Sequence, residues 1–217
     1  MARPKVLLAD DHPLTRAGMR KILEAGYEIT GEVADGRALV RTALELRPDV
    51  VVVDISMPNL NGLDAIRLLR KKGVSAKAVV VTMHTSIDFA VQAFRLGATG
   101  YVLKIDASGD LSRAVQEALA GRMFISPRMA GDVLAALMEP RSGASEGDNP
   151  WTGLTPRERE ILQLTAEGRT MAEIGEMLHI SARTVEKHKY KAMEKLKLRS
   201  TAELIQYAIQ HGLVHPV

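Results

Sequence analysis

Five residues in the first half of this chain combine types and positions that allow chemistry. Asp10 and Asp11 follow the run Lys5–Ala9, and Asp54 follows Val50–Val53. Thr82 follows Ala78–Val81, and Lys104 follows Gly100–Leu103. Each run is short and rich in apolar or β-branched residues, which reads as a strand. Parallel α/β sheets gather the carboxyl ends of their strands on one side and bind ligands there. Three carboxylates converging at such an edge repel one another and raise their pKa values. A hard divalent cation relieves the repulsion, and Mg2+ suits a few carboxylates plus water. With Lys104 as a point charge and Thr82 as a hydroxyl, the set can also neutralise phosphoryl oxygens. Singly, each residue reads equally well as a strand-end cap or a loop solvator. Five at matching ends favour a site.

A second cluster lies near the other end. Arg183, Lys187, Lys189, Lys191, Lys195, Lys197 and Arg199 face only Glu186 and Glu194 in the same stretch. Wound at about 100° per residue, positions 183–197 place Val185, Ala192 and Leu196 in one arc, with His188 and Met193 at its edges. That arc is core. The opposite face carries Arg183, Glu186, Lys187, Tyr190 and Glu194, flanked by Lys191 and Lys197. Alone, the charge describes a solvated helix face. On the second helix of a helix-turn-helix it describes a surface that enters the major groove, rim lysines meeting phosphates and the helix start reaching base edges.

The elements that must position these groups follow from periodicity. Strand runs at Lys5–Ala9, Tyr27–Val33, Val50–Val53, Ala78–Val81 and Gly100–Leu103 alternate with helical periods at Leu14–Leu23, Leu39–Leu46, Leu63–Leu69, Ile87–Leu96 and Leu111–Leu119. Such alternation predicts a doubly wound, five-stranded parallel sheet over residues 1–125, with helices on both faces. Ser126-Pro127 reads as an N-cap with proline at the first helical position, opening a helix to about Met138. Residues 139–150 are almost devoid of apolar content, so 126–153 reads as a linker helix and a flexible linker. A flexible segment of that length spans on the order of 20 Å. Beyond it, Thr155/Glu158, Thr170/Glu173 and Ser200/Glu203 have the spacing of capping boxes, and Ser181 is a further N-cap. They predict an all-α domain over 154–217 with helices near 155–167, 170–178, 181–197 and 200–211. Only His179-Ile180 separates the middle pair, the tight connection of a helix-turn-helix.

Composition narrows the class. The chain has 217 residues, net charge +3, 46% hydrophobic and 25% charged residues, and no cysteine. That balance is globular, and it excludes disulfides and thiolate metal sites. The opening segment has too short an apolar run for a signal peptide, and no run approaches a membrane span. The expectation is a cytoplasmic protein with no membrane partner.

The motifs also resemble known families. Leu8-Ala9-Asp10-Asp11-His12-Pro13, Asp54-Ile55-Ser56-Met57-Pro58-Asn59-Leu60-Asn61-Gly62, Val81-Thr82-Met83-His84 and Gly100-Tyr101-Val102-Leu103-Lys104 resemble the signature blocks of CheY-like response-regulator receivers, in order, over residues 5 to about 125. The resemblance implies a strand order 2-1-3-4-5 and Asp54 as the acceptor of phosphate from a sensor histidine kinase. It further implies Mg2+ held by Asp11, Asp54 and the Ser56 carbonyl, with Asp10 acting through water. Lys104 would bind the phosphoryl group, Thr82 would swing toward it, and Tyr101 would turn inward. Ser56 and His84 occupy positions where receivers tune phosphate lifetime; His84 otherwise reads as a loop residue, and His12 as packing before the Pro13 helix start. Many receivers have proline after the lysine, where this chain has Ile105.

Leu154-Thr-Pro-Arg-Glu-Arg-Glu160, Ile180-Ser-Ala-Arg-Thr-Val185 and Lys195-Leu196 are similar to the LuxR-type helix-turn-helix, so the whole chain resembles the NarL/FixJ class. Base contacts then map onto Glu186, Lys187 and Tyr190, and backbone contacts onto Arg183, Thr184, Lys191 and Arg199. Glu186 departs from members with lysine there; an acid can instead accept from cytosine N4. Gly175 stands where alanine is usual. His188, on its angular position, packs inward. The resemblance implies a non-enzymatic transcriptional regulator that binds double-stranded DNA as a homodimer, with RNA polymerase as a candidate further partner. In the unphosphorylated protein it implies docked domains that phosphorylation releases. Two other readings use the same residues. One is a phosphatase with an aspartyl-phosphate intermediate, against which position 56 is serine rather than a second acid. The other is a phosphorylation-independent DNA-binding protein whose receiver only dimerises.

Overall fold

The computed structural model describes residues 2–138, 153–211, 213 and 214. The expected flexible linker at 139–150 lies outside the described residues. The chain divides into two compact units.

In the first unit, β1 (Lys5–Ala9), β2 (Glu28–Val33), β3 (Val50–Val53), β4 (Lys77–Thr82), β5 (Gly100–Leu103) and β6 (Phe124–Ile125) form one sheet. Its order is β2-β1-β3-β4-β5-β6 and all its pairings are parallel. The expected five strands are present in the expected order, and the sheet has a sixth. β6 is only two residues long and pairs Gly100 with Phe124 and Tyr101 with Ile125. Two residues carry no detectable alternation, which is why periodicity passes over it.

The helices are α1 (Pro13–Leu23), α2 (Gly36–Leu46), α3 (Gly62–Lys71), α4 (Ile87–Arg95), α5 (Ala107–Leu119) and α6 (Pro127–Met138). Met19 and Leu23 of α1, with Leu111, Ala114, Val115 and Ala118 of α5, pack on Val6, Leu8, Val52, Val79, Val81 and Val102. Alternation sends Leu7, Val51, Val53 and Val80 to the other face, which α2, α3 and α4 cover with buried Leu39, Leu63, Ile66 and Ala90. β3 is buried on both faces, as an unbroken valine run requires. The helix expected to open the linker, α6, packs back on α4 and buries Met129 and Val133.

In the second unit, α7 (Pro156–Ala166), α8 (Met171–Leu178), α9 (Ala182–Lys195) and α10 (Thr201–Gln210) follow one another. Thr155/Glu158 and Thr170/Glu173 form reciprocal capping boxes. The third expected box is altered: Ser200 caps the Glu203 amide, but the Glu203 carboxylate accepts the Arg199 N–H at 2.7 Å. Ile161, Leu164, Ile174, Leu178 and Val185 make the core. The turn between α8 and α9 passes through His179 at φ 53° into Ser181, which caps α9. A Cβ on Gly175 would lie 2.7 Å from the Ile180 carbonyl oxygen. Glycine here lets the turn close tightly on its own helix.

Among the described residues, no helix is long and apolar enough to cross a membrane.

Candidate functional site

The carboxyl ends of β1, β3, β4 and β5 bring Asp10, Asp11, Asp54, Thr82 and Lys104 to one edge of the sheet. Asp10 has no exposed surface, Asp54 is 3% exposed and Thr82 is fully buried. Lys104 reaches between two carboxylates, its Nζ lying 2.8 Å from Asp10 Oδ2 and 2.7 Å from Asp54 Oδ2. Backbone donors take up the other oxygens: Ile55 N–H donates to Asp54 Oδ1 at 2.7 Å and His12 N–H to Asp10 Oδ1 at 2.8 Å. Burial pushes the Asp54 carboxyl above its ordinary value, with neighbouring Asp10 adding to the push and Lys104 opposing it. For Lys104 burial works the other way, but Asp54 and Asp10 outweigh it and hold the ammonium above its usual range. The pocket is acidic and short of positive charge.

Ligand atoms of Asp10, Asp11, His12 and Asp54 lie within 4.8 Å of one another. The three carboxylates are hard oxygen donors beside a solvent-facing edge, a set that fits Mg2+ with water completing the shell. Ser56 is buried two residues past Asp54. His12 does not pack ahead of α1 as expected; it is exposed, and its Nδ1 lies 2.7 Å from Asp11 Oδ1.

His84 is more than a loop residue. Its Nε2 lies 2.8 Å from Ser56 Oγ, and its ring stacks on Phe89 at 4.6 Å. The Tyr101 hydroxyl donates to the His84 carbonyl at 2.9 Å, and the ring has no exposed surface. Tyr101 is thus inward in this structure. Burial, with Asp54 nearby, pushes its phenol up.

Two further residues shape the pocket: Arg16, which left no mark in sequence patterns, and Gly62, which closes the motif that begins at Asp54. Arg16 Nη1 donates to the Asp10 carbonyl at 2.6 Å and so ties α1 to the loop carrying both acids. Gly62 opens α3 against Asp54: a Cβ there would sit 2.0 Å from the Asp54 carbonyl oxygen. Its place inside the Asn61-Gly62 pair after Asp54 was the available signal.

On α9, Val185, Ala192 and Met193 are buried, whereas Leu196 at the C-cap is only half-buried. Half-buried His188 turns its Nδ1 out of solvent. Arg183, Glu186, Lys187, Tyr190 and Lys191 are exposed along one side, with Arg199 exposed in the turn before α10. Thr184 is half-buried, its hydroxyl 2.8 Å from Ser181 Oγ. Two lysines of the cluster are engaged elsewhere: Lys195 Nζ donates to Glu158 Oε2 at 2.7 Å and Lys189 Nζ to Thr201 Oγ1 at 2.7 Å.

Comparison with known proteins agrees with both halves. Residues 6–116 match the response regulator receiver domain, and residues 152–208 match the luxR family of bacterial regulatory proteins. The chain is 40% identical to the transcriptional regulatory protein MctR of Rhizobium johnstonii, over 99% of this chain and 98% of that one. It is 36% identical to the nitrate/nitrite response regulator NarL of Escherichia coli, over 96% of each. Among solved structures it resembles RcsB of Salmonella enterica serovar Typhimurium bound to promoter DNA in the presence of the phosphomimetic BeF3−. That match has a TM-score of 0.64 at 30% identity, covering 94% of this chain and 98% of that one. These relatives are transcriptional regulators, not phosphatases. With its acidic pocket at one sheet edge and its basic helix-turn-helix, the chain belongs to the two-component response regulators of the NarL/FixJ class, a receiver followed by a LuxR-type DNA-binding domain.

Proposed function

We propose that Asp54 accepts a phosphoryl group from a phosphohistidine of a sensor kinase, and that this modification governs dimerisation and DNA binding. The observation that carries the proposal is the bridging ammonium of Lys104 between Asp10 and Asp54, inside a cluster of carboxylates whose ligand atoms lie within 4.8 Å. An Asp54 oxygen attacks phosphorus; the P–N bond to histidine breaks as the P–O bond forms, and the imidazole leaves with a proton. Asp11, Asp54 and the Ser56 carbonyl would hold Mg2+, with Asp10 acting through water. Bound there, the cation supplies neutralisation of the phosphoryl oxygens. Lys104 pairs with the transferred group, and the Thr82 hydroxyl turns toward it. Tyr101, bonded to the loop that follows Thr82, registers that movement.

On the output side, Glu186, Lys187 and Tyr190 are assigned to base edges, and Arg183, Thr184, Lys191 and Arg199 to the backbone. The reading is of a homodimer on double-stranded DNA in the cytoplasm, with RNA polymerase as the further contact in transcription. The domain organisation proposed is a receiver over 1–125, a connecting segment over 126–153 and the DNA-binding domain over 154–217. A hundredfold shift between docked and released forms requires about 2.7 kcal/mol, within reach of one new dianionic group.

Operator fragments recovered from genomic DNA provide the test. Wild type should bind them more tightly with acetyl phosphate and Mg2+ than without, and Asp54→Asn should show no such gain. Equal wild-type affinity in both conditions would leave the reading of a receiver that only dimerises.

A further inference from the structure

Ser126 has no exposed surface and stands where β6 gives way to α6. Its amide continues the β5–β6 ladder by donating to the Tyr101 carbonyl at 2.9 Å. The next bond of a parallel ladder would run from the Leu103 N–H to the Ser126 carbonyl. That carbonyl is taken, because it accepts the Met129 N–H at 2.9 Å and opens α6. The Ser126 hydroxyl replaces it. Its oxygen accepts the Leu103 N–H at 3.1 Å, and its hydrogen goes to Asp110 Oδ2 on α5 at 2.9 Å.

Leu103 immediately precedes Lys104, whose ammonium must reach Asp10 and Asp54 together. Past Leu103 the strand ends and a single 3-10 turn, Lys104–Asp106, begins. The hydroxyl therefore ties down the last strand amide before the lysine. An ion pair between Arg128 and Asp106 at 3.2 Å adds a second tie, but its arginine is largely exposed, and such pairs contribute little. We propose that Ser126, oriented by Asp110, is a positioning residue for Lys104. It acts on phosphoryl acceptance by holding the backbone from which the lysine projects. The proposal rests on the reading of Asp54 as the phosphoacceptor.

The consequence is kinetic. Without the hydroxyl the Leu103 N–H is buried and unpaired, and the backbone yields to satisfy it. Displacement of a charge-stabilising group by about an ångström slows reaction by on the order of tenfold to a hundredfold.

The test uses the full chain and the initial rate of mass gain from acetyl phosphate at saturating Mg2+. Ser126→Ala should slow that rate by roughly tenfold while the Mg2+ concentration for half-maximal rate stays unchanged. Asp110→Ala should slow it as well, and Asp110→Asn, which keeps an acceptor oxygen, should restore it. In a Lys104→Ala background Ser126→Ala should cause no further loss, because the two act through one group. A wild-type rate in Ser126→Ala would overturn the proposal. So would an equal slowing in the Lys104→Ala background, the mark of a general loosening. If Ser126→Ala does not fold, the Asp110 pair decides, and equal rates in Asp110→Ala and Asp110→Asn would also overturn it. A wild-type chain that gains no mass sinks the Asp54 reading first and this role with it.

Discussion

A single hydrogen atom separates Gly62 from a side chain that cannot fit. Replacing it by Ala drives Cβ to 2.0 Å from the Asp54 carbonyl oxygen, and the obstacle is backbone, which no rotamer change relieves. Overpacking of this kind costs about 3 kcal/mol. Urea unfolding of Gly62→Ala should show that loss together with slower phosphate uptake, since Asp54 itself is displaced. Glu158 is the corresponding position in the second unit. It is buried, closes the box on Thr155 and accepts from Lys195. Burial works to raise its pKa, but Lys195 and the two Thr155 donors outweigh it and hold the carboxyl below its ordinary value of 4.5. A depressed carboxylate stabilises the fold above its unfolded pKa and ceases to as pH falls through the folded one. Glu158→Gln should therefore cost about 1–3 kcal/mol at neutral pH. The gap from wild type should close as pH drops below 4.5, readable by thermal unfolding across pH.

At the scale of elements, α9 separates packing from contact. Its inner side is sealed by Val185 and Ala192, and its outer side leaves Lys187 and Lys191 in solvent. Each phosphate neutralised releases counterions, so Lys187→Ala should weaken binding to all sequences and lower the salt slope by about one if it meets phosphate. If it reads a base edge, the loss should concentrate at one position of the site and amount to about 1–3 kcal/mol. Titrations at several salt concentrations on cognate and single-substituted fragments separate the two. Lys195→Ala should leave the slope unchanged, because its ammonium already serves Glu158.

For the molecule as a whole, the proposed cation in the acidic pocket would link stability to its concentration. A ligand that binds only the folded state at a hundred times its dissociation constant adds about 2.7 kcal/mol. Mg2+ should thus raise the unfolding temperature of the receiver, and chelation should reverse the gain. Asp11→Asn should abolish most of it, while unfolding of the second unit should not respond. Calorimetry of the intact chain reads both transitions.

Much of this was legible in the residues alone. Alternating periods set out the parallel sheet and its helices, because burial on two faces demands runs such as Val50–Val53 and burial on one demands a helical stripe. Capping signals bounded the helices of the second unit because the orphan N–H groups they serve lie within a few residues. Charge and strand ends together named Asp10, Asp11, Asp54, Thr82 and Lys104. Contacts between residues far apart in the chain were decided only by the tertiary structure: the sixth strand, the His84 bond to Ser56 and the turn of Ser126 toward Leu103. Local preference reports on neighbours a few positions away. Which serine hydroxyl replaces which carbonyl depends on where a strand must stop so that a helix can begin, and that is a property of the packed whole.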